Sequence, residues 1–361
     1  MKIDLEKLGF NNIFLTEANL YPDFYVGRVF SQHKNMYKIM CENGEITAEV
    51  SGKFRFDVSS LIDYPSVGDF VMIDRTTDTE GNAIIHHVLS RKSAFIRKTA
   101  GTSNDSQVIA SNIDTVFICM SLNNDFNLRR IERYLSISWD SGATPVVVLT
   151  KSDLCDDIDE RLNEVNSVAI GADIVITSSF NQEGYVQILD YVEEGKTIAF
   201  IGSSGVGKST LINCLIEDRS IKTGGLRNDD KGRHTTTKRE IIMLEQGGMV
   251  IDTPGMREIG IESADFSKSF SDIDGFAMMC KFNDCSHNNE PNCAVQKAIK
   301  DGSLSLDRFL SYQKLKKEAG YDGLNSRQIE HAKINEMFKG VGGVKNARKF
   351  AKEQNAKKHG N

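Results

Sequence analysis

Hydrophobic and polar positions alternate in short runs over the first quarter of the chain. YVGRVF, MYKIMC, ITAEVSGKFRF, DFVMID and AIIHHVL each carry the two-residue period of a half-buried strand. Turn residues separate them, among them Asn43-Gly44, the stretch from Pro65 to Asp69, and Glu80-Gly81-Asn82. Short strands at this spacing predict an all-β segment over 1–95. A small barrel of the oligonucleotide-binding (OB) kind fits the size, and so does a purely structural β-domain. His86 and His87 fall inside the last run and read as structural.

From about residue 96 the pattern changes. The runs DTVFICMSL, TPVVVLTKSD, ADIVITSS, KTIAFIG, REIIML and GMVIDTPG are short and strand-like. Helical stretches lie between them, notably NLRRIERYLSISWDSG and Gly184–Val192. This alternation predicts a mostly parallel sheet with helices on both faces over 96–268. Trp139 falls in such a helix and reads as packing. After about residue 268 strands disappear, leaving a Cys/His cluster, the helical stretch Leu306–Glu318 and a basic tail, a third unit over 269–361.

Composition narrows the class. At 361 residues the chain holds two or three domains. With 40% apolar residues, 26% charged, 29 Gly and 5 Pro, disordered and collagen-like classes are excluded. No apolar stretch approaches the roughly 18 residues that span a bilayer. The start, MKIDLEKLGFNN, has acids and no apolar core of a leader, so a cytoplasmic protein without a membrane role is expected. Net charge is −6, yet residues 325–361 hold nine Lys or Arg against three acids, so the first 324 carry −12. A basic tail on an acidic body is either a polyanion contact or a solvated helix. Of seven Cys, three cluster near His287 and read as metal ligands before disulfides, while Cys41, Cys119, Cys155 and Cys214 read as small apolar groups.

The chemistry lies in three loops. Gly202-Ser203-Ser204-Gly205-Val206-Gly207-Lys208-Ser209 matches the phosphate-binding loop, with the strand TIAFI before it and the helix-like run STLINCLI, from Ser209 through Thr210, after it. Its glycines let backbone N–H groups turn onto phosphate oxygens at a helix N-terminus. Lys208 is then placed for the β- and γ-phosphates and Ser209 for Mg²⁺. Asp252-Thr253-Pro254-Gly255 ends the strand MVI, where a carboxylate associates with Mg²⁺ and Gly255 can donate its N–H to a γ-phosphate. Thr150-Lys151-Ser152-Asp153 follows the strand PVVVL. Asp153 can accept from N1–H and the amino group of guanine, a donor pair that adenine lacks. Lys151 would lie along the ring, and Ser178-Ser179 would offer backbone contacts to the base edge. Alone, T-K-x-D could also be a strand-ending turn.

Guanine selection precedes the phosphate loop, and the switch elements come last. Ligands of such sheets bind where strands end in space. Joining old termini and cutting elsewhere therefore preserves the pocket, and the order is that of a circularly permuted GTPase. Met256 stands where Ras-like proteins carry the water-orienting Gln. His234 is the candidate to orient or deprotonate the water, against the alternative of an exposed loop histidine. Among Thr235–Thr237, Thr236 is the candidate to complete the Mg²⁺ shell. Cys280-x4-Cys285-x-His287-x5-Cys293 offers three thiolates and an imidazole, a closed tetrahedral set for one structural Zn²⁺.

This order, with Gly-Arg-His-Thr-Thr-Thr (232–237), Ser-Gly-Val-Gly-Lys-Ser (204–209) and Arg91-Lys92-Ser93-Ala94-Phe95, resembles the ribosome small subunit-dependent GTPase A family over about residues 25–320. The resemblance implies an α/β multidomain fold: an OB-type N-terminal barrel, a circularly permuted P-loop GTPase with a doubly wound parallel sheet, and a C-terminal helical zinc domain. It also implies late maturation of the small ribosomal subunit, with the same histidine position in catalysis. The expected partners are GTP and GDP, the 30S subunit and its 16S rRNA, bound by a monomer. Binding should weaken steeply with salt. An ATP-using P-loop kinase or ATPase with another target, or a binding module in which GTP is structural, are the alternatives.

Overall fold

A computed structural model of the chain describes residues 2–77, 79, 81–98, 106–178, 184–216, 239–252, 269–282, 284–288, 290–319 and 328. The chain opens with helix α1 (Asn12–Ala18), capped by the Asn11 side chain, which accepts from the Ile13 N–H. Five strands follow: β1 (Tyr25–His33), β2 (Met36–Cys41), β3 (Gly44–Val50), β4 (Phe70–Ile73) and β5 (Ala83–Val88). They close in the order β1-β2-β3-β5-β4-β1, with β3 and β5 parallel and the other pairs antiparallel. Alternate side chains, among them Val29, Ile39, Ile46, Val71 and Ile85, fill the barrel. Gly27 makes room for this closure, because a Cβ there would stand 2.3 Å from Ile39.

The all-β expectation for 1–95 needs correction. ITAEVSGKFRF is not one strand: it breaks at Ser51, whose hydroxyl accepts from the Phe54 N–H and caps helix α2 (Gly52–Asp57). Residues before β1 also fold onto the barrel. Phe14 of α1 is buried, its ring 4.5 Å from that of Phe70.

A two-stranded hairpin, β6 (Ala94–Lys98) and β7 (Ser106–Ser111), leads out of the barrel. The sequence pattern did not signal it. Arg91, just before it, donates to both Asp69 oxygens at 2.7 Å and to the carbonyls of Ile62 and Tyr64. Ser93 bonds Ile113 in both directions at 2.7 Å. The Arg-Lys-Ser run is thus a stitch between barrel and linker. Arg28 is a second stitch: its buried guanidinium donates to the carbonyls of Leu8, Gly68 and Asn112 and sits 5.1 Å over the Phe70 ring. Burial pulls its pKa down to about 10, which still leaves a cation at neutral pH.

The second unit runs β8 (Thr115–Ser121), α3 (Leu128–Ser141), β9 (Thr144–Thr150), α4 (Ile158–Asn166), β10 (Asp173–Ile176), α5 (Tyr185–Leu189), β11 (Thr197–Ile201), α6 (Lys208–Ile216), β12 (Arg239–Met243) and β13 (Met249–Asp252). Its sheet order is β10-β9-β8-β11-β13-β12, parallel except for β12. Along β8, Val116, Ile118 and Met120 face α3, while Phe117 and Cys119 face the core that α5 and α6 cover. Both faces are buried, which is why these strands read as unbroken apolar runs. Trp139 packs against the α3-side core, as expected.

One pairing joins the two units. Ser31 and Gln32 of β1 pair antiparallel with Glu240 and Arg239 of β12. Barrel and nucleotide sheet therefore form one hydrogen-bonded sheet of 11 strands. Helices α7 (Ser271–Ala277), α8 (Ala294–Asp301) and α9 (Leu306–Ala319) complete the described chain. Phe270, Ile273, Val295 and Phe309 extend the α3-side core rather than building a separate one. Among the described residues no helix is long and apolar enough to cross a membrane.

Candidate nucleotide site and metal centre

The carboxyl ends of β9, β10, β11 and β13 meet at one rim of the sheet. Gly202 leaves β11 with φ 147°, and a Cβ there would stand 2.5 Å from the Cys119 carbonyl, so the loop turns where only glycine fits. Cys119 beneath it is inert, because burial pushes its thiol up to about 12. Ser204 and Gly205 are exposed at the tip, and Val206 anchors the loop in the core. Lys208 is the first residue of α6 and is largely buried. Its Nζ donates to the carbonyls of Gly202 at 2.9 Å and Ser203 at 2.6 Å, folding the side chain back across the loop. Ser209 and Thr210 follow on the first turn of α6.

The guanine-type motif touches this loop directly. The Thr150 hydroxyl donates to the Val206 carbonyl at 2.5 Å. Lys151 takes φ 58°, turning the chain so that Asp153 falls in the 3-10 turn Ser152–Leu154. Ser152 is buried and donates its N–H to the Thr177 carbonyl at 3.2 Å. The Ser178 hydroxyl donates to Asp153 Oδ1 at 2.6 Å, leaving Asp153 exposed for another donor. A cavity of about 230 Å³ opens between the two motifs, lined by Thr150, Lys151, Thr177, Gly207, Lys208 and Ser209, with Thr210 also on its wall. Asp252 ends β13 just after Ile251, whose register partner in β11 is Ala199. The candidate residues Thr150, Lys151, Asp153, Ser178, Lys208, Ser209 and Asp252 therefore share one rim. Ser179, His234, Thr236 and Gly255 lie outside the described residues.

Two residues at this rim carry no motif. Arg130, in the first turn of α3, donates to the Ser203 hydroxyl at 3.0 Å and to Asp125 at 3.0 Å. The loop after β8 lies outside the motifs read from the sequence, so these two residues carried no signal there.

The second candidate centre is a set of four side chains: Cys280, Cys285, His287 and Cys293, whose ligand atoms all lie within 4.8 Å of one another. The Cys280 and Cys293 sulfurs are 3.8 Å apart, and His287 Nδ1 is 3.6 Å and 3.5 Å from them. A tetrahedron with metal–sulfur bonds of about 2.3 Å and a metal–nitrogen bond of about 2.0 Å has edges of about 3.8 Å and 3.5 Å. The donor set thus fits a four-coordinate metal ion. Supporting groups fix the loop. Gln296 Nε2 donates to the His287 carbonyl at 2.6 Å. Glu290 accepts from the Ser286 hydroxyl and from the Ser286 and Asn288 N–H groups. These bonds, the Ser286 hydroxyl first, hold its carboxyl at about 2, well below the usual range.

Known proteins resemble this chain in sequence and fold. The family model of the RsgA GTPase matches residues 88–262. A small ribosomal subunit biogenesis GTPase RsgA 2 of Lactiplantibacillus plantarum is 45% identical over 346 residues, covering 96% of this chain and 97% of the relative. A small ribosomal subunit biogenesis GTPase RsgA of Methanosarcina acetivorans is 37% identical, over 95% of this chain and 93% of its own. The crystal structure of YjeQ from Thermotoga maritima aligns with a TM-score of 0.60 at 28% identity, over 82% of this chain and 98% of that one. YloQ, described as a circularly permuted GTPase, aligns with a TM-score of 0.58 at 26% identity, over 82% and 95%. Identity at this level across nearly the whole length, on a sheet whose guanine-type motif precedes its phosphate loop, makes the chain a member of the RsgA GTPase family, a circularly permuted enzyme that hydrolyses GTP.

Proposed function

We propose that this GTPase binds the small ribosomal subunit and acts in its late maturation, with turnover stimulated by the 30S particle and release on hydrolysis. The relatives' names supply the target. The observation that carries the nucleotide half is the Thr150–Val206 bond, which fastens a guanine-type motif to the phosphate loop beside the cavity that Thr150, Lys151 and Lys208 line, while the Ser178 hydroxyl donates to Asp153 of the same motif.

In this reading Asp153 accepts from guanine, Lys151 and Ser152 flank the base, and Ser178 and Ser179 bound its edge. Residues 202–210 hold the phosphates. Lys208 moves its ammonium from the loop carbonyls to the β- and γ-phosphates, while Ser209, Thr236 and Asp252 hold Mg²⁺ and Gly255 donates to the γ-phosphate. His234 positions the water that attacks the γ-phosphorus. The Cys/His set holds one structural Zn²⁺, since three thiolates and an imidazole leave no open position. Residues 1–95, 96–268 and 269–361 act as RNA-binding barrel, GTPase and metal-stapled unit with a basic tail. The tail, barrel and metal unit contact 16S rRNA, and the protein works as a cytoplasmic monomer.

The β1–β12 pairing supports coupling between the ends of the molecule, because β12 directly follows the segment that contains His234 and Thr236. The test is GTP turnover of the full chain with purified 30S, 50S and 70S particles at several salt concentrations. Stimulation by 30S that fades as salt rises is expected. Equal rates with and without 30S would overturn the ribosomal half. Equal competition by ATP would overturn the guanine half.

A further inference from the structure

The first turn of α3 breaks a local rule. A helix N-terminus is electropositive and favours acids, yet α3 opens with Arg129 and Arg130 and has no acid in its first turn. Arg129 has an internal reason: it pairs with buried Glu132 at 2.6 Å. Arg130 has no such buried partner. Its described contacts are Asp125 and Ser203, both through Nη1, and its side chain is 29% exposed against 47% for Asp125. Residues that break local consistency without a packing gain are where function is to be sought.

The surroundings hold this guanidinium against the phosphate loop. The Asn127 side chain caps α3 by accepting from the Arg130 N–H at 3.0 Å. Asn123 Oδ1 accepts from the Ser121 hydroxyl and from the Asp125 N–H, setting the Asp125 carboxylate. That carboxylate accepts from both Arg130 and the Ser203 hydroxyl at 3.0 Å. Bonds from Arg130 first, then Ser203, keep Asp125 below the usual carboxyl range, so it is an anion at neutral pH. Ser203 is the first residue after Gly202, inside the loop that lines the nucleotide cavity. Among the described contacts Nε and Nη2 of Arg130 are not engaged.

We propose that Arg130 is a catalytic arginine supplied in cis: with GTP bound, its guanidinium contacts a γ-phosphate oxygen and stabilises the charge that develops there, with Asp125 and Ser203 as positioning residues. This rests on the assignment of residues 202–209 as the phosphate loop. The need is chemical. A methionine side chain, as at Met256, cannot orient water or donate to the transferred group, and phosphoryl transfer is accelerated chiefly by fixed positive charge around the γ-phosphoryl. Water oxygen bonds to the γ-phosphorus, and the bond from that phosphorus to the bridging oxygen breaks. The bridging oxygen leaves with GDP, and both water protons end on inorganic phosphate or buffer. Arg130 neither gains nor loses a proton, since guanidinium stays charged throughout.

The test uses the full chain and three variants, Arg130→Ala, Arg130→Lys and Lys208→Ala, in single-turnover GTP hydrolysis. It also measures binding of GDP alone and of GDP with aluminium fluoride, a mimic of the transferring phosphoryl. For Arg130→Ala the expected result is a rate loss of about 100-fold or more, GDP affinity within about two-fold of the parent, and no gain in affinity from aluminium fluoride. Arg130→Lys should recover only a small part, because an ammonium lacks the planar fork. If Arg130→Ala turns over within two-fold of the parent, or loses GDP affinity in step with rate, the residue merely props the loop and the proposal is overturned. Should Arg130→Ala not fold, Arg130→Lys decides: a parental rate overturns the proposal, and a rate loss with parental GDP affinity supports it. Lys208→Ala separates the underlying reading: if it binds GDP as the parent does, the phosphate-loop assignment itself is wrong.

Discussion

Arg308 of α9 and Glu132 of α3, 176 residues apart, form a buried ion pair at 2.7 Å, with side-chain exposures of 5% and 0%. The same guanidinium grips Asp272 with two bonds of 2.7 Å and 2.8 Å and donates to the Ser269 carbonyl. It also lies 4.9 Å over the Phe270 ring. One side chain thus ties the C-terminal helices to the helix that carries Arg130. Removing Arg308 leaves the buried Glu132 carboxylate to Arg129 alone and strips Asp272 of its two bonds, and breaking a buried pair costs about 3–5 kcal/mol. Arg308→Ala should lose about that much in a denaturant melt. Pairing it with Glu132→Gln should recover part of the loss, because the buried carboxylate that has lost one of its two arginines is then neutral. A single-variant loss below about 1 kcal/mol would show the pair to be solvated in solution.

Asp153→Asn should change base preference. Each bond from a guanine N–H to a carboxylate is worth about 1.5–3 kcal/mol, so GDP affinity should drop about ten-fold or more. An asparagine amide can donate to a carbonyl in place of the guanine amino group, so xanthosine diphosphate should bind better to the variant than to the parent. Competition among GDP, XDP and ADP reads this out. An unchanged order of preference would remove Asp153 from the base site.

His234→Ala should lower 30S-stimulated turnover by about 10²-fold or more while leaving GDP affinity nearly intact, since a water-positioning group acts on the transition state and not on bound GDP. Stimulated turnover equal to the parent's would exclude it from the mechanism.

Much of this architecture was legible because two physical constraints write themselves into residue types. Burial on both faces turned β8 and β9 into unbroken apolar runs, and the tight turn out of β11 demands glycine at Gly202, where a Cβ would strike the Cys119 carbonyl. The Cys/His set was legible because few residue types ligate a metal. What stayed hidden lacked such a signature. Phe54 and Phe56 continue the alternation of β3, so α2 read as strand; yet Phe56 is 89% exposed and the Ser51 cap decides. The β1–β12 junction joins backbone to backbone, and no side-chain pattern announces it. Arg130 is one of three arginines in α3 and Arg308 the one arginine of α9, and neither is distinguishable in sequence from a solvated one.

Metal removal should act on stability. As prepared, the protein should carry one zinc per chain by elemental analysis, and Cys285→Ser should carry substantially less. Because Cys293 and Val295 sit in the same core as α3, loss of the ion should lower the melting temperature of the chain and not merely loosen a surface loop. An unchanged melting curve after verified removal would show that the helices hold without the staple.

The barrel should weaken on mild acidification. His87 stacks on Tyr21 with ring centres 4.0 Å apart, and His86 stacks on Phe24 at 4.4 Å. Burial, then the neighbouring charges of His86 and Lys53, lowers the His87 pKa below its ordinary value. The unfolded chain therefore binds this proton more readily than the folded one. The contribution to stability is fully present above about pH 6.5 and is lost as pH falls through the lower folded value. His87→Phe keeps a ring on Tyr21 and removes the titration, so its melting temperature should fall less than the parent's between pH 7 and pH 5.5. Parallel falls in the two proteins would mean that His87 titrates as it does in the unfolded chain.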